Sequence, residues 1–295
     1  MKKIQNKPLL AKIGLLMITI IWGSAFVVVK NTTSAMPPSY IIAIRFGLAA
    51  FFMCIIFFKR LRKIRFAEIK GGIIIGIFNV LGFEFQTIGS KFTTAGNNAF
   101  LTAVYCVVVP FLYWIVKHKK PNIYNVLSAF ICIVGVGLLS LKDGFSMNFG
   151  DILSLLCGLS FAVQIVAIDI FTENCDPILL TISQSIVTVI ITLPIALVFE
   201  KFPAAIEGKT ILSLLYIGIF STMIAFMVQM ICQKYVKPSK ASLIMSLESV
   251  FGTLCGILFL RESLTVRTFF GCALIFGAIY LSEWKPSLKS LKKAA

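Results

Sequence analysis

Ten stretches of this chain are long and apolar enough to cross a lipid bilayer, which takes about 20 apolar residues in a helix. In the first half they run Leu9–Val29, Ser39–Phe58, Ile69–Ile88, Ala95–Val116 and Ile123–Leu141. In the second they run Phe149–Phe171, Pro177–Phe199, Ile211–Cys232, Ala241–Leu260 and Val266–Trp284. The connectors are short and carry Lys, Asn, Asp or Pro, so none holds a soluble domain. The chain is 58% hydrophobic and 14% charged, against about 25% charged in ordinary soluble domains. A water-soluble fold of this size has no means of hiding so much apolar surface. The expected fold is therefore an all-α integral membrane protein of ten transmembrane helices, a single membrane domain over residues 1–295. The first apolar run is too long for a cleavable signal and reads as a retained helix.

Basic residues sort by side. With the N-terminus in the cytoplasm, the inner segments gather Lys2, Lys3, Lys7, the run from Lys59 to Lys70, Lys117 to Lys120, Lys234 to Lys240, and Lys285 to Lys293. The outer segments hold only scattered bases: Lys30, Lys91, Lys142, Lys201, Lys209, Arg261 and Arg267. The positive-inside rule then puts both termini in the cytoplasm, in a cell (inner) membrane. One connector dissents, because Glu173–Asp176 falls inside and carries no base. The net charge of +16 calls for no nucleic acid. Anionic lipid headgroups at the cytoplasmic rim balance it.

The two halves echo each other. Ile75-Gly76-Ile77-Phe78 recurs as Ile217-Gly218-Ile219-Phe220, an offset of 142 residues. At that offset Ala99 meets Ala241, Leu101 meets Leu243, Leu112 meets Leu254 and Gly135 meets Gly277. The first copy lies in the third span and the second in the eighth. Five crossings separate them, and five is odd, so the halves cross the membrane in opposite senses. Two five-helix inverted repeats follow, 1–143 and 144–295. Such repeats bind substrate near the midplane, between the halves.

Several motifs resemble EamA-type permeases of the drug/metabolite transporter superfamily. They are Trp22-Gly23-Ser24-Ala25-Phe26, then Pro37-Pro38 with Arg45-Phe46, and Thr93-Thr94-Ala95-Gly96-Asn97-Asn98 entering the fourth span. In the second half Ala241-Ser242-Leu243 through Leu247-Glu248, and Arg261-Glu262-Ser263-Leu264, resemble the ninth span and its exit turn. The resemblance covers essentially the whole chain. It implies a ten-helix carrier with cytoplasmic ends that moves small metabolites, often outward.

Charged side chains inside a membrane are costly and usually face a cavity or a partner. Arg45 and Glu84 lie at nearly the same depth on consecutive spans, about 10 Å below the outer surface at 1.5 Å per residue. An ion pair between them is expected, serving as a helix lock, a gate or a substrate contact. Glu248 lies near the midplane, where it could accept a proton, bind a cationic group or rest against Ser221 or Asn79. At the 142 offset it maps onto Cys106, while Asn79 pairs with Ser221. Trp22, Ser24, Tyr105 and Gln164 complete the candidate cavity, and helix packing explains each as readily as substrate contact. Asn97 and Asn98 open the fourth helix, where capping explains them as readily as substrate contact does. Pro110 and Pro194 should bend their helices, and with Gly252 they are the hinge candidates.

An intramembrane enzyme lacks its residues here. The only histidine, His118, sits in a Lys-rich loop, and no paired-Asp or His motif exists. No cofactor or metal is expected, and no nucleotide-binding motif is present to power transport. A channel would need a filter-like loop or a ring of charge, and neither is visible. The reading is a secondary carrier of small organic metabolites, an exporter of amino acids or related solutes before a multidrug efflux carrier, with protons as a candidate coupling ion. It is expected to work as a monomer or homodimer.

Overall fold

The computed structural model describes residues 7–140, 147–260 and 266–283. The regular elements within them are all helical. The first half holds α1 (Lys7–Thr32), α2 (Pro38–Ile56), the short α3 (Phe58–Leu61), α4 (Phe66–Phe92), α5 (Ala95–Thr102), α6 (Tyr105–Lys117) and α7 (Ile123–Ser140). The second holds α8 (Phe149–Thr172), α9 (Pro177–Phe199), α10 (Gly208–Tyr216), a π-helical segment (Ile217–Ile224), α11 (Ala225–Gln233), α12 (Pro238–Met245), α13 (Glu248–Leu260) and α14 (Val266–Glu283). Among the described residues, seven stretches have the length and hydropathy of a membrane span, and Ile123–Leu138 and Phe269–Ser282 are shorter apolar helices. Each of the ten apolar stretches read from the sequence falls on a helix or an interrupted helix. The expected boundary at 143–144 and the basic residues before Lys7 and after Glu283 lie outside the described residues.

Helix starts follow local chemistry. Pro38, Pro177 and Pro238 occupy first-turn positions, where their missing N–H costs nothing. Asn148 and Asp151 form a reciprocal capping box at the start of α8. Thr94 caps α5 by accepting from the Asn97 N–H at 3.1 Å. Of the two readings of Asn97 and Asn98, capping belongs to Thr94 instead, while Asn98 lines the cavity between the halves. At the end of α6, His118 takes a left-handed φ of 53° and stops the helix.

The packing looks the same when the halves are exchanged. α4 packs on α8 and α9, while α10, α11 and the π segment pack on α1 and α2. α1 crosses α13, and α8 lies along α5 and α6. α2 packs on α9, and α7 on α14. The seams are tight: a Cβ at Gly72 would stand 2.1 Å from the Cβ of Ser183 on α9. Gly72 and Gly76 are thus contact points of α4 on α9, as the small-xxx-small spacing implies.

The fourth helix of each half is interrupted. α5 gives way to α6 at Ala103-Val104, and α12 to α13 at Ser246-Leu247. Tight three-residue hydrogen bonds mark both turns, Val104 to Leu101 and Cys106 to Ala103 in one, Leu247 to Ile244 and Ser249 to Ser246 in the other. These bonds match at an offset of 143, one more than the offset that aligns α4 with α10. The connector before α12 is longer than the one before α5, so the gapless register slips by one after the third helix. Glu248 is consequently the counterpart of Tyr105, not of Cys106. Pro110 and Pro194 lie inside helices that continue through them. The chain interruptions fall elsewhere, and Gly252 packs against Gly23 of α1.

The dissenting connector also finds its bases. Asp176 pairs with Arg60 at 3.2 Å, and Glu173 with Lys117 at 2.8 Å. Arg65 pairs with Glu68 and donates to the Asn174 carbonyl at 2.9 Å. An acidic hairpin of the second half is neutralised by basic ends of the first. It needs no bases of its own.

Candidate functional site

A cavity lies between the two halves. Trp22, Phe26, Val29 and Lys30 of α1, Arg45 of α2, Phe83, Gln86 and Ser90 of α4, and Asn98 of α5 bound it from one half, together with Tyr105 at the start of α6. From the other half come Phe161, Gln164 and Ile165 of α8, Ser221 of the π segment, Phe226 and Gln229 of α11, Met245 of α12 and Glu248 of α13. It extends from mid-depth toward the Lys30 end of α1. On the side of the N-terminus the space is filled by one packed cluster that includes Leu15, Ile165, Val236, Ile244 and Met245.

Five of the seven cavity candidates line this space: Trp22, Tyr105, Gln164, Ser221 and Glu248. Ser24 turns instead to Tyr216, with oxygens 2.5 Å apart, and donates to the Ile21 carbonyl. Asn79 stands behind the wall. It is fully buried, accepts from Gln164 at 2.9 Å and donates to Thr188 at 3.2 Å. It fixes the orientation of Gln164, which does face the cavity. Replacing Asn79 by Leu leaves Gln164 without its acceptor in an apolar interior. A loss of about 1–3 kcal/mol is expected, read as a lower melting temperature in detergent; an unchanged melting curve would show that the bond carries no stability.

Glu248 begins α13 beside its interruption and is 6% exposed. The Tyr105 hydroxyl donates to its Oε1 at 3.0 Å. The register argument explains this contact: each residue is the first of the half-helix after its turn, and the two turns meet. Interrupted helices are a recurrent way of bringing polar groups to mid-membrane sites.

The expected Arg45–Glu84 pair does not form. The Arg45 Nε donates to Thr222 Oγ1 at 2.7 Å and its Nη2 to Ser221 Oγ at 3.2 Å, with the guanidinium 4.4 Å from the Phe83 ring centroid. Glu84 accepts from the Ser39 hydroxyl at 3.1 Å, where Glu200 also sits. Glu200 accepts from the backbone N–H groups of Ser39 and Tyr40, and so holds the start of α2. Equal depth placed Arg45 and Glu84 at one level, but rotation about the helix axis turned them apart.

The π segment is what receives Arg45. Its wider turn lets Thr222 Oγ1 donate to the carbonyl of Ile217, five residues back, at 2.7 Å. It also leaves the Ser221 carbonyl to accept from Trp22 Nε1 at 3.0 Å. Such π turns gather at functional sites. The aromatic wall is continuous: Phe83 meets Phe161, Phe226 and Phe46 with centroids 5.2, 5.9 and 5.3 Å apart, and Trp22 meets Phe226 at 5.5 Å. Sequence reading missed these phenylalanines, since nothing separates them from other apolar residues in a chain with 27 Phe. At the Lys30 end, the ammonium donates to the Ser90 and Thr93 carbonyls at 2.6 Å, where α4 ends.

The model of the EamA-like transporter family matches this chain twice, over residues 9–141 and 148–284. The chain belongs to the EamA-like transporter family. An uncharacterized transporter of Archaeoglobus fulgidus (strain ATCC 49558 / DSM 4304 / JCM 9628 / NBRC 100126 / VC-16) is 37% identical over 275 residues, covering 93% of this chain and 86% of that protein. The uncharacterized transporter YoaV of Bacillus subtilis (strain 168) is 24% identical, covering 92% and 96%. A solved crystal structure superposes with a TM-score of 0.77 at 17% identity, covering 92% of this chain and 96% of that one, which shows a shared fold. This EamA-family chain is accordingly a multi-pass membrane protein and a transporter by family.

Proposed function

We propose that this EamA-family protein is a secondary carrier whose two inverted five-helix halves give alternating access to the cavity between them. Its solutes are small organic metabolites, with amino acids and related compounds first and movement outward. The observation that carries the reading is a cavity bounded by both halves, walled by aromatic rings and holding an Arg and a Glu that do not pair with each other. The twice-matching family model and the exchange symmetry of the packing support the repeat. The aromatic wall also favours a second reading, efflux of apolar drug-like compounds. Purified protein in liposomes, offered radiolabelled amino acids and nucleosides with and without a pH gradient, tests the proposal. Saturable flux with counterflow is expected; conductance without saturation would indicate a channel instead.

In this reading the contacts of Glu173, Asn174 and Asp176 with Arg60, Arg65 and Lys117 latch the cytoplasmic side while the cavity reaches the opposite face. Cys175 lies within the latch and is 5% exposed. Exposed ion pairs contribute about 0.2–1 kcal/mol each, so Arg60→Glu with Lys117→Glu should shift the balance about two- to thirtyfold. The measurement is maleimide alkylation of Cys175 as the sole cysteine, which should accelerate by that factor. An unchanged rate would remove the latch from the mechanism.

A further inference from the structure

We infer that Arg45 is an anion subsite of the cavity and that the transported solute carries a carboxylate group there. This rests on the carrier reading and adds which residue meets the solute and through which group.

Arg45 is 2% exposed, yet it lines the cavity. Its guanidinium keeps its proton at any physiological pH. The groups around it are neutral: the hydroxyls of Thr222 and Ser221 and the rings of Phe83 and Phe46. The acids nearest in the fold make their hydrogen bonds elsewhere, Glu84 and Glu200 to Ser39 and Glu248 to Tyr105, with Glu84 Oε1 buried and unpartnered. Among the described residues, no carboxylate forms an ion pair with it. A buried cation without a counterion is expensive, and one that persists inside a membrane marks a ligand path.

The arrangement also aims the cation. Thr222 Oγ1 spends its proton on the Ile217 carbonyl, so it meets Arg45 Nε as an acceptor. Phe83 supports one face of the plane. The bonds to Thr222 and Ser221 occupy two of the five N–H donors that an arginine carries. The guanidinium fork matches a carboxylate through two parallel hydrogen bonds. Glu248 lines the same cavity with a carboxyl that can meet a cationic group, and Phe83, Phe161 and Phe226 run along the wall. A solute with a carboxylate, a cationic group and an apolar or aromatic body satisfies all three.

The test reads binding and flux separately. Purified protein in nanodiscs is titrated with phenylalanine, 3-phenylpropanoate, phenylalaninamide, phenethylamine and 2-phenylethylphosphonate, using intrinsic tryptophan fluorescence. The wild type should bind the two carboxylates at least tenfold more tightly than phenylalaninamide and phenethylamine. Arg45→Gln should erase that preference through weaker binding of the two carboxylates. If Arg45→Gln fails to fold, Thr222→Val, which withdraws the acceptor that aims Nε, should narrow the preference at least threefold. Equal binding of acid and amide, no binding of either carboxylate, or binding of the phosphonate alone would overturn the inference. So would a preference untouched in both variants. Carboxylate selectivity in nanodiscs without counterflow in liposomes would retain the subsite and reject the carrier.

Discussion

Replacing Glu248 by Gln should lower solute flux about ten- to hundredfold, with little change in melting temperature. The side chain is buried at the start of α13 and takes a hydrogen bond from Tyr105. Glutamine has nearly the same volume, and its amide oxygen can accept the same bond, so the two interruptions stay joined. What disappears is the capacity to carry a negative charge or a proton. A hydrogen bond to a charged group is worth about 1.5–3 kcal/mol, which converts to the stated loss. Flux measured across pH in liposomes separates the two roles. If Glu248 takes up the coupled proton, the residual flux of Glu248→Gln no longer follows pH. An unchanged pH profile would remove Glu248 as the proton site, and unchanged flux would remove it from the site altogether.

Gly23→Ala should damage transport more than its size suggests. A Cβ at Gly23 would stand 2.7 Å from the backbone nitrogen of Gly252, 2.7 Å from Phe251 Cβ and 2.8 Å from the carbonyl oxygen of Glu248. Two of the three neighbours are backbone and cannot rotate away. α1 and α13 must separate, and the strain falls on the turn that positions Glu248. Overpacking of this kind costs about 1–3 kcal/mol, and transport should fall at least about fivefold. Gly277→Ala is the control, because a Cβ there meets nothing within 4 Å. Wild-type flux in Gly23→Ala would show that α13 tolerates displacement, whereas damage from Gly277→Ala would show that the assay reads insertion instead.

Hydropathy made the helices legible. Every apolar stretch became a helix or an interrupted one, because the lipid leaves a spanning backbone few alternatives. The site was only partly legible. Trp22, Tyr105, Gln164, Ser221 and Glu248 were recognisable as polar or amphipathic groups at mid-depth. The partner of Arg45 was not, since sequence gives depth but not azimuth. Neither interruption was visible, for Thr102-Ala103-Val104-Tyr105 and Met245-Ser246-Leu247-Glu248 contain no Gly or Pro. The repeated tetrapeptide is the sharpest case. Ile75–Phe78 is α-helical and Ile217–Phe220 is π-helical, although the four residues are identical. Their surroundings differ, with Arg45 and Trp22 bonded to Ser221 directly after the second copy. Local propensity could not have told them apart.

The hydrogen bond between Tyr105 and Glu248 has a mechanical consequence. Each residue is the first of the rod that follows its turn, and the bond ties the roots of the two rods together. In the proposed carrier this joins two elbows into one pivot, so a swing of α6 about its turn should draw the base of α13 with it.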